Sequence, residues 1–232
     1  MKKLGLIGGL GPESTMMYYR DIVYGVKERL GRETFPNLTV ESLDVFRVLE
    51  LCAAKDYAAL AAYLGGAVER LAAAGVDFVA ISANTPHIVF DDVAAHASVP
   101  MVSIIDAARD EALERGYARV GLLGTAFTME GAFFREPFER AGISVVVPTE
   151  AERAFVAERI SGELELGVVT QETREAFMRI IGRMAREDGI EAVALGCTEL
   201  PLLFSQTPPP IACLDTVQLH VRALVDRILK DG

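Results

Sequence analysis

Short runs of β-branched and aliphatic residues recur along the chain, and a segment with helical spacing follows each of them. Eight runs stand out, near Leu4–Ile7, Leu38–Ser42, Phe78–Ser82, Met101–Ser103, Val120–Leu123, Ser144–Val147, Ala192–Leu195 and Ile211–Cys213. Such alternation is the pattern of βα units around a parallel sheet. Before the third run, Leu60, Leu64, Val68 and Leu71 fall at steps of three and four, which gives one apolar helical face. Gly75 then stands where that helix should end.

The eight runs form two sets of four that resemble each other. "KLGLIGG" at 3–9 matches "RVGLLGT" at 119–125, and "VPMVSIID" at 99–106 matches "PPPIACLD" at 208–215. Between them, "RLAAAGVDFVAISANT" at 70–85 follows the order of "MAREDGIEAVALGCTE" at 184–199, setting Gly75 over Gly189, Ser82 over Gly196 and Ala83 over Cys197. A repeat of about half the chain is far longer than a solenoid period and implies a duplicated domain. Ligands bind beyond the carboxyl ends of parallel strands, so the turns 83–85 and 197–199 are expected to form opposite walls of one cleft.

Composition narrows the class. Of 232 residues, 51% are hydrophobic, enough for a sizeable core. A net charge of −10, without long runs of one sign, argues against nucleic acid or an anionic membrane surface as the partner. The opening "MKKLGLIGGLGPES" is too interrupted by glycines for a secretion signal, and no stretch approaches the roughly 18 apolar residues of a membrane span. Three cysteines, Cys52, Cys197 and Cys213, make no disulfide framework and show no zinc spacing, so a reducing cytoplasm is expected and no metal site. Cys52 in "VLELCAAK" reads as packing or partial exposure, and Cys213, alternating within "IACLD", reads as core.

Four motifs then stand in order: "GLIGGLGPEST" at 5–15, "ANTPH" at 83–87, "GLLGT" at 121–125 and "LGCTELP" at 195–201. Together they resemble the aspartate/glutamate racemases, amino-acid racemases that work without pyridoxal phosphate. The resemblance runs from Lys3 to the closing helix after Asp215. It implies two similar Rossmann-like (flavodoxin-like) α/β domains, each with a four-stranded parallel sheet, related by pseudo-twofold symmetry. The expected boundaries are 1–104 plus 216–232, the latter a returning C-terminal helix, and 105–215. It also implies no cofactor, a homodimer, and a small-molecule amino acid as substrate. Typical members place one thiol on each side of the substrate's α-carbon. The first thiol position is Ala83 here, whereas the second is present as Cys197.

An ordinary thiol, with a pKa of about 8.5, is a weak base in water, so the turn around Cys197 has to assist. Backbone N–H groups and the dipole of a following helix are expected to stabilise a thiolate and a substrate carboxylate there. Asn84 and Thr85 offer an equivalent cradle, and Thr198 lies beside the thiol. Gly9, in the glycine-rich turn, lets the backbone approach a ligand. That turn is not a dinucleotide fingerprint, because Ser14 stands where G-x-G-x-x-G needs glycine. Thr125 and Thr128 read equally well as ligand contacts or helix caps. His87 reads as a substrate donor or a structural residue, and Glu199 orients the cysteine loop or serves as a helix first-turn acid. A dicarboxylic substrate needs a cation for its distal group, and Arg47 is the candidate.

The methyl group of Ala83 moves no proton. Three readings follow: another hydroxyl or acid serves that face, with Ser82 and Thr85 as neighbours; the protein uses one thiol from one side, as related decarboxylases and isomerases do; or it binds an amino acid without turnover. Racemisation of aspartate or glutamate with Cys197 as acid/base is the leading expectation.

Overall fold

The computed structural model describes residues 1–205 and 207–230, and the chain divides into two compact units, Met1–Ile104 with a returning segment that begins at Val217, and Ile105–Thr216. The elements in chain order are β1 (Leu4–Gly8), α1 (Pro12–Leu30), β2 (Leu38–Ser42), α2 (Val45–Ala53), α3 (Tyr57–Ala73), β3 (Phe78–Ile81), α4 (Phe90–His96) and β4 (Met101–Val102). There follow α5 (Ile104–Glu114), β5 (Arg119–Gly124), α6 (Ala126–Glu130), α7 (Ala132–Arg140), β6 (Ser144–Val146), α8 (Glu150–Gly162), α9 (Gln171–Arg183), β7 (Ala192–Gly196), α10 (Leu200–Phe204), β8 (Ala212–Asp215) and α11 (Thr216–Leu229). Short 3-10 turns lie at Thr85–Val89 and Leu164–Leu166. Among the described residues, no helix is long and apolar enough to cross a membrane.

The first unit holds a parallel sheet in the order β2-β1-β3-β4. All five residues of β1 and all four of β3 are buried, as strands covered by helices on both faces must be. The stripe read from the sequence is the buried face of α3, with Leu60, Leu64 and Val68 at 0% exposure and Leu71 at 1%. Asp56 caps the start of α3, its carboxylate accepting the Ala59 N–H at 3.0 Å, and Gly75, at φ +72°, takes the left-handed conformation that ends it. The returning helix α11 belongs to this unit. Tyr18 Oη donates to His220 Nδ1 at 2.9 Å, and the Lys2 N–H donates to the Ile228 carbonyl at 2.9 Å.

The second unit repeats the topology as β6-β5-β7-β8, again all parallel. Its core joins Leu123, Phe177, Ile181, Met184, Val193 and Leu195 to Cys197 and Leu200. Thr149 and Glu152 form a reciprocal capping box at the start of α8. The eighth strand begins one residue later than its apolar run and extends to Asp215, because the proline-rich stretch 208–210 delays pairing with β7. As the edge strand of its sheet it leaves Cys213 half-buried, so that residue is not the core position its pattern suggested.

Strand register makes the repeat concrete. Ile7 pairs with Ile81 in the first sheet and Leu123 with Leu195 in the second, so Ala83 and Cys197 each stand two residues past an equivalent pair.

Candidate active site

In the first unit the carboxyl ends of β1 and β3 are stitched together at the point where strand order reverses. Ser82 donates to the Ile7 carbonyl from both its N–H and its hydroxyl, each at 3.0 Å, and Ser14 Oγ donates to the Ser82 carbonyl at 2.8 Å. The side chain of Ser82 is thus spent on the backbone below the turn. Gly9 is required sterically as well as by its φ of +73°, since a Cβ there would lie 2.3 Å from the Leu43 carbonyl oxygen. Its N–H donates to Thr15 Oγ1 at 3.0 Å.

Ala83 is half-buried and Asn84 buried, and Thr85 opens the 3-10 turn. His87 Nδ1–H donates to the Ala83 carbonyl at 2.8 Å, while Nε2 accepts the Ile104 N–H at 3.3 Å. Both ring nitrogens are occupied by backbone, and the ring stacks on Phe90 at 4.9 Å between centroids. Burial lowers the His87 pKa to about 4 despite hydrogen bonds to backbone that favour the cation. His87 therefore works as a neutral brace between the β3 and β4 ends, the structural one of its two sequence readings.

In the second unit Cys197 closes β7 at 7% exposure, with Sγ donating to Glu199 Oε2 at 2.9 Å. Burial pushes its pKa well above the ordinary thiol value, and the Glu199 charge, the hydrogen bond to it and the more distant Glu165 add to the rise. This corrects the expectation of a stabilised thiolate. The following helix, α10, spans only five residues, and desolvation with two carboxylates outweighs the hydrogen bond from the Glu199 backbone, which favours the thiolate. The resting group is a thiol. Thr198 is half-buried beside it, and Thr216 Oγ1 ties the β7 end to the start of α11 by donating to the Leu195 carbonyl at 2.8 Å.

Thr125 caps α6, accepting the Thr128 N–H at 3.3 Å, and the two hydroxyls lie 3.1 Å apart. Thr128 is fully buried, so the capping reading describes this pair. Arg47 lies exposed on α2, its guanidinium donating to Glu50 at 2.7 Å. Glu165, exposed and acting on the thiol through its charge, is a neighbour that the sequence did not reveal. "GELELG" carries no motif, and its relation to the thiol arises only when the turn Leu164–Leu166 is folded.

Two parallel α/β units with equivalent strand-end turns, one of them carrying a thiol-carboxylate pair, define a class. Residues 7–224 match the Asp/Glu/Hydantoin racemase family, and the chain belongs to it. Its class is thus that of the amino-acid racemases, acting on small-molecule amino acids. A Yersinia pestis protein proposed to be an Asp/Glu racemase is 35% identical, with TM-score 0.93 over 99% of this chain and 100% of that one. An aspartate racemase homologue from Pyrococcus horikoshii is 37% identical, with TM-score 0.87 over 98% and 99% of the two chains. The broad specificity amino-acid racemase RacX of Bacillus subtilis is 21% identical over 97% of this chain and 98% of its own length.

Proposed function

We propose that the protein racemises a free amino acid at the α-carbon, without a cofactor, with Cys197 as the acid/base. The observation that carries this reading is the pairing of the buried Cys197 with the half-buried Glu199 at 2.9 Å, placed on the turn equivalent to the one that holds Ala83. A thiol held protonated is a ready proton donor. To act as a base it first passes its proton to the Glu199 carboxylate; the resulting thiolate then takes the α-proton and leaves the electron pair on the substrate as an enolate-like carbanion. Backbone N–H groups of the turn beside the thiol stabilise the carboxylate on which that charge develops.

The side chain at position 83 contributes no proton, so inversion depends on a second donor that is not the residue equivalent to Cys197. Ala83 therefore favours a second reading in which the thiol works from one face alone. Proton NMR in heavy water with chiral chromatography separates the two. Loss of the α-proton signal with formation of the opposite enantiomer supports racemisation, whereas exchange with retention supports one-sided chemistry. An amino acid that raises the melting temperature without exchanging its α-proton would mark a binding protein instead. Arg47, the cation expected to meet the distal group of a dicarboxylic substrate, holds Glu50 here. A homodimer and a cytoplasmic location remain part of this reading, the former tested by sedimentation.

A further inference from the structure

The internal repeat slips by one residue at the end of α9. The buried positions of α3, Leu60, Leu64, Ala67, Val68 and Leu71, recur as Thr173, Phe177, Ile180, Ile181 and Met184, each 113 residues later. Past the helix, the left-handed Gly75 corresponds to Gly189, and Ile81 to Leu195, each 114 residues later. The second unit thus carries one extra residue, and its helix takes that residue up as a π turn at Met184–Asp188. Such a turn widens the hydrogen-bond step from i→i+4 to i→i+5, and turns of this kind are frequent at functional sites.

The π turn lines an open cavity of about 940 Å³ together with α8, α9 and the proline-rich approach to β8. Arg179, Arg183 and Arg186 all border it, at the steps of four and three that share one helix face. Arg183 is satisfied by the chain itself, with a two-pronged pair to Glu152 at 2.7 Å and a bond to Asp188 at 2.8 Å. Among the described residues, Arg179 and Arg186 form no ion pair and no hydrogen bond. Two guanidiniums therefore stand uncompensated at one cavity in a chain whose net charge is −10. Gly182 makes room for the second of them, since a Cβ there would lie 3.3 Å from Arg186 Nη1. Alanine suits a helix interior better than glycine, so the sequence keeps space at this wall against helix propensity. In the first unit Gly66 and Ala72–Ala73 occupy the places of Arg179 and Arg186, so the cationic wall is peculiar to the second.

The rest of the wall is apolar, with Phe155, Ile180, Pro208 and Pro210. Guanidinium forks match the oxygens of a phosphate, an aromatic ring and prolines suit a planar group, and the volume is that of a small-molecule site. We propose that this cavity binds a phosphorylated small molecule with a planar apolar body, of the mononucleotide class. The phosphate sits on Arg179 and Arg186, and the ring lies against Phe155 and the prolines. The site lies wholly within the second unit and uses none of the residues assigned to racemisation.

The test titrates the nitrogen-15-labelled full chain with AMP, inorganic phosphate and adenosine, read by amide chemical shifts and by calorimetry. We expect AMP to shift amides in 151–155 and 176–186, with a Kd at least tenfold below those of phosphate and adenosine. Arg179→Ala and Arg186→Ala should each weaken AMP at least fivefold, and Gly182→Leu, which presses on the Arg186 guanidinium, should weaken it as well. Melting curves identify a variant that only misfolds, and Arg179, exposed on α9, is the position whose truncation leaves packing intact. Shifts confined to the turn 197–199 overturn the inference, as does phosphate or adenosine binding as tightly as AMP. Affinity unchanged in both folded arginine variants overturns it too, and so does the absence of any shift with all three probes at millimolar concentration.

Discussion

At position 197 a single sulfur carries the proposed chemistry, and its environment favours the protonated form. Cys197→Ala is therefore expected to lower α-proton exchange at least ~100-fold, the usual scale of a lost general acid/base. Retained exchange by that variant would remove the thiol from the mechanism. Ala83→Cys supplies a second thiol at the equivalent turn and should raise the inverted fraction of exchanged product. If folded Ala83→Cys protein showed no gain in inversion, position 83 would not face the reacting carbon. Gly9→Ala combines a left-handed φ of +73° with a collision at the Leu43 carbonyl, so it should cost about 2 kcal/mol or more in urea unfolding. The Ala83/Cys197 correspondence was legible because the internal repeat by itself sets one residue over the other. Glu165 was not legible: its spacing to Cys197 follows no helical or strand period, and chain folding alone brings the turn to the thiol.

Helix and strand ends are held by buried polar braces, and these make stability depend on pH. His87, at about 4, and His220, pushed to about 3 by burial and then by His87, both remain neutral where an exposed histidine near 6.5 would take a proton. Unfolded protein binds more protons between those values, so stability rises with pH across the window. The contribution is complete above pH ~6.5 and is lost as pH falls towards the folded values. By pH 5 each histidine should have cost about 2 kcal/mol relative to pH 7. In His87→Gln the difference between urea unfolding at the two pH values should shrink by its share; an unchanged slope would show that the ring is not held neutral. In α3, Leu64→Ala should cost about 2–5 kcal/mol, the range for an emptied buried leucine site. That helix was legible from its stripe and its terminal glycine. The start of β8 was not, since apolar content placed Ile211 in a strand whose pairing begins only at Ala212.

The whole molecule carries ten more negative than positive charges. Self-repulsion of that size opposes compaction and is screened by salt, whose Debye length falls from about 30 Å at 0.01 M to about 8 Å at 0.15 M. The melting temperature at pH 7 should therefore rise over this range. A fall would mean that attractive pairs such as Arg183 with Glu152 and Asp188 dominate. Fold class and duplication were readable because each half repeats the same order of buried strand, turn and helix. The order of synthesis adds one more consequence. The second unit is a continuous stretch, while the first needs α11, made only after residue 216. On the ribosome the later-made unit can thus close before the earlier one is finished. Until α11 emerges, Tyr18 and the face of α1 around it lack their cover, which makes them a place for a chaperone to act during translation.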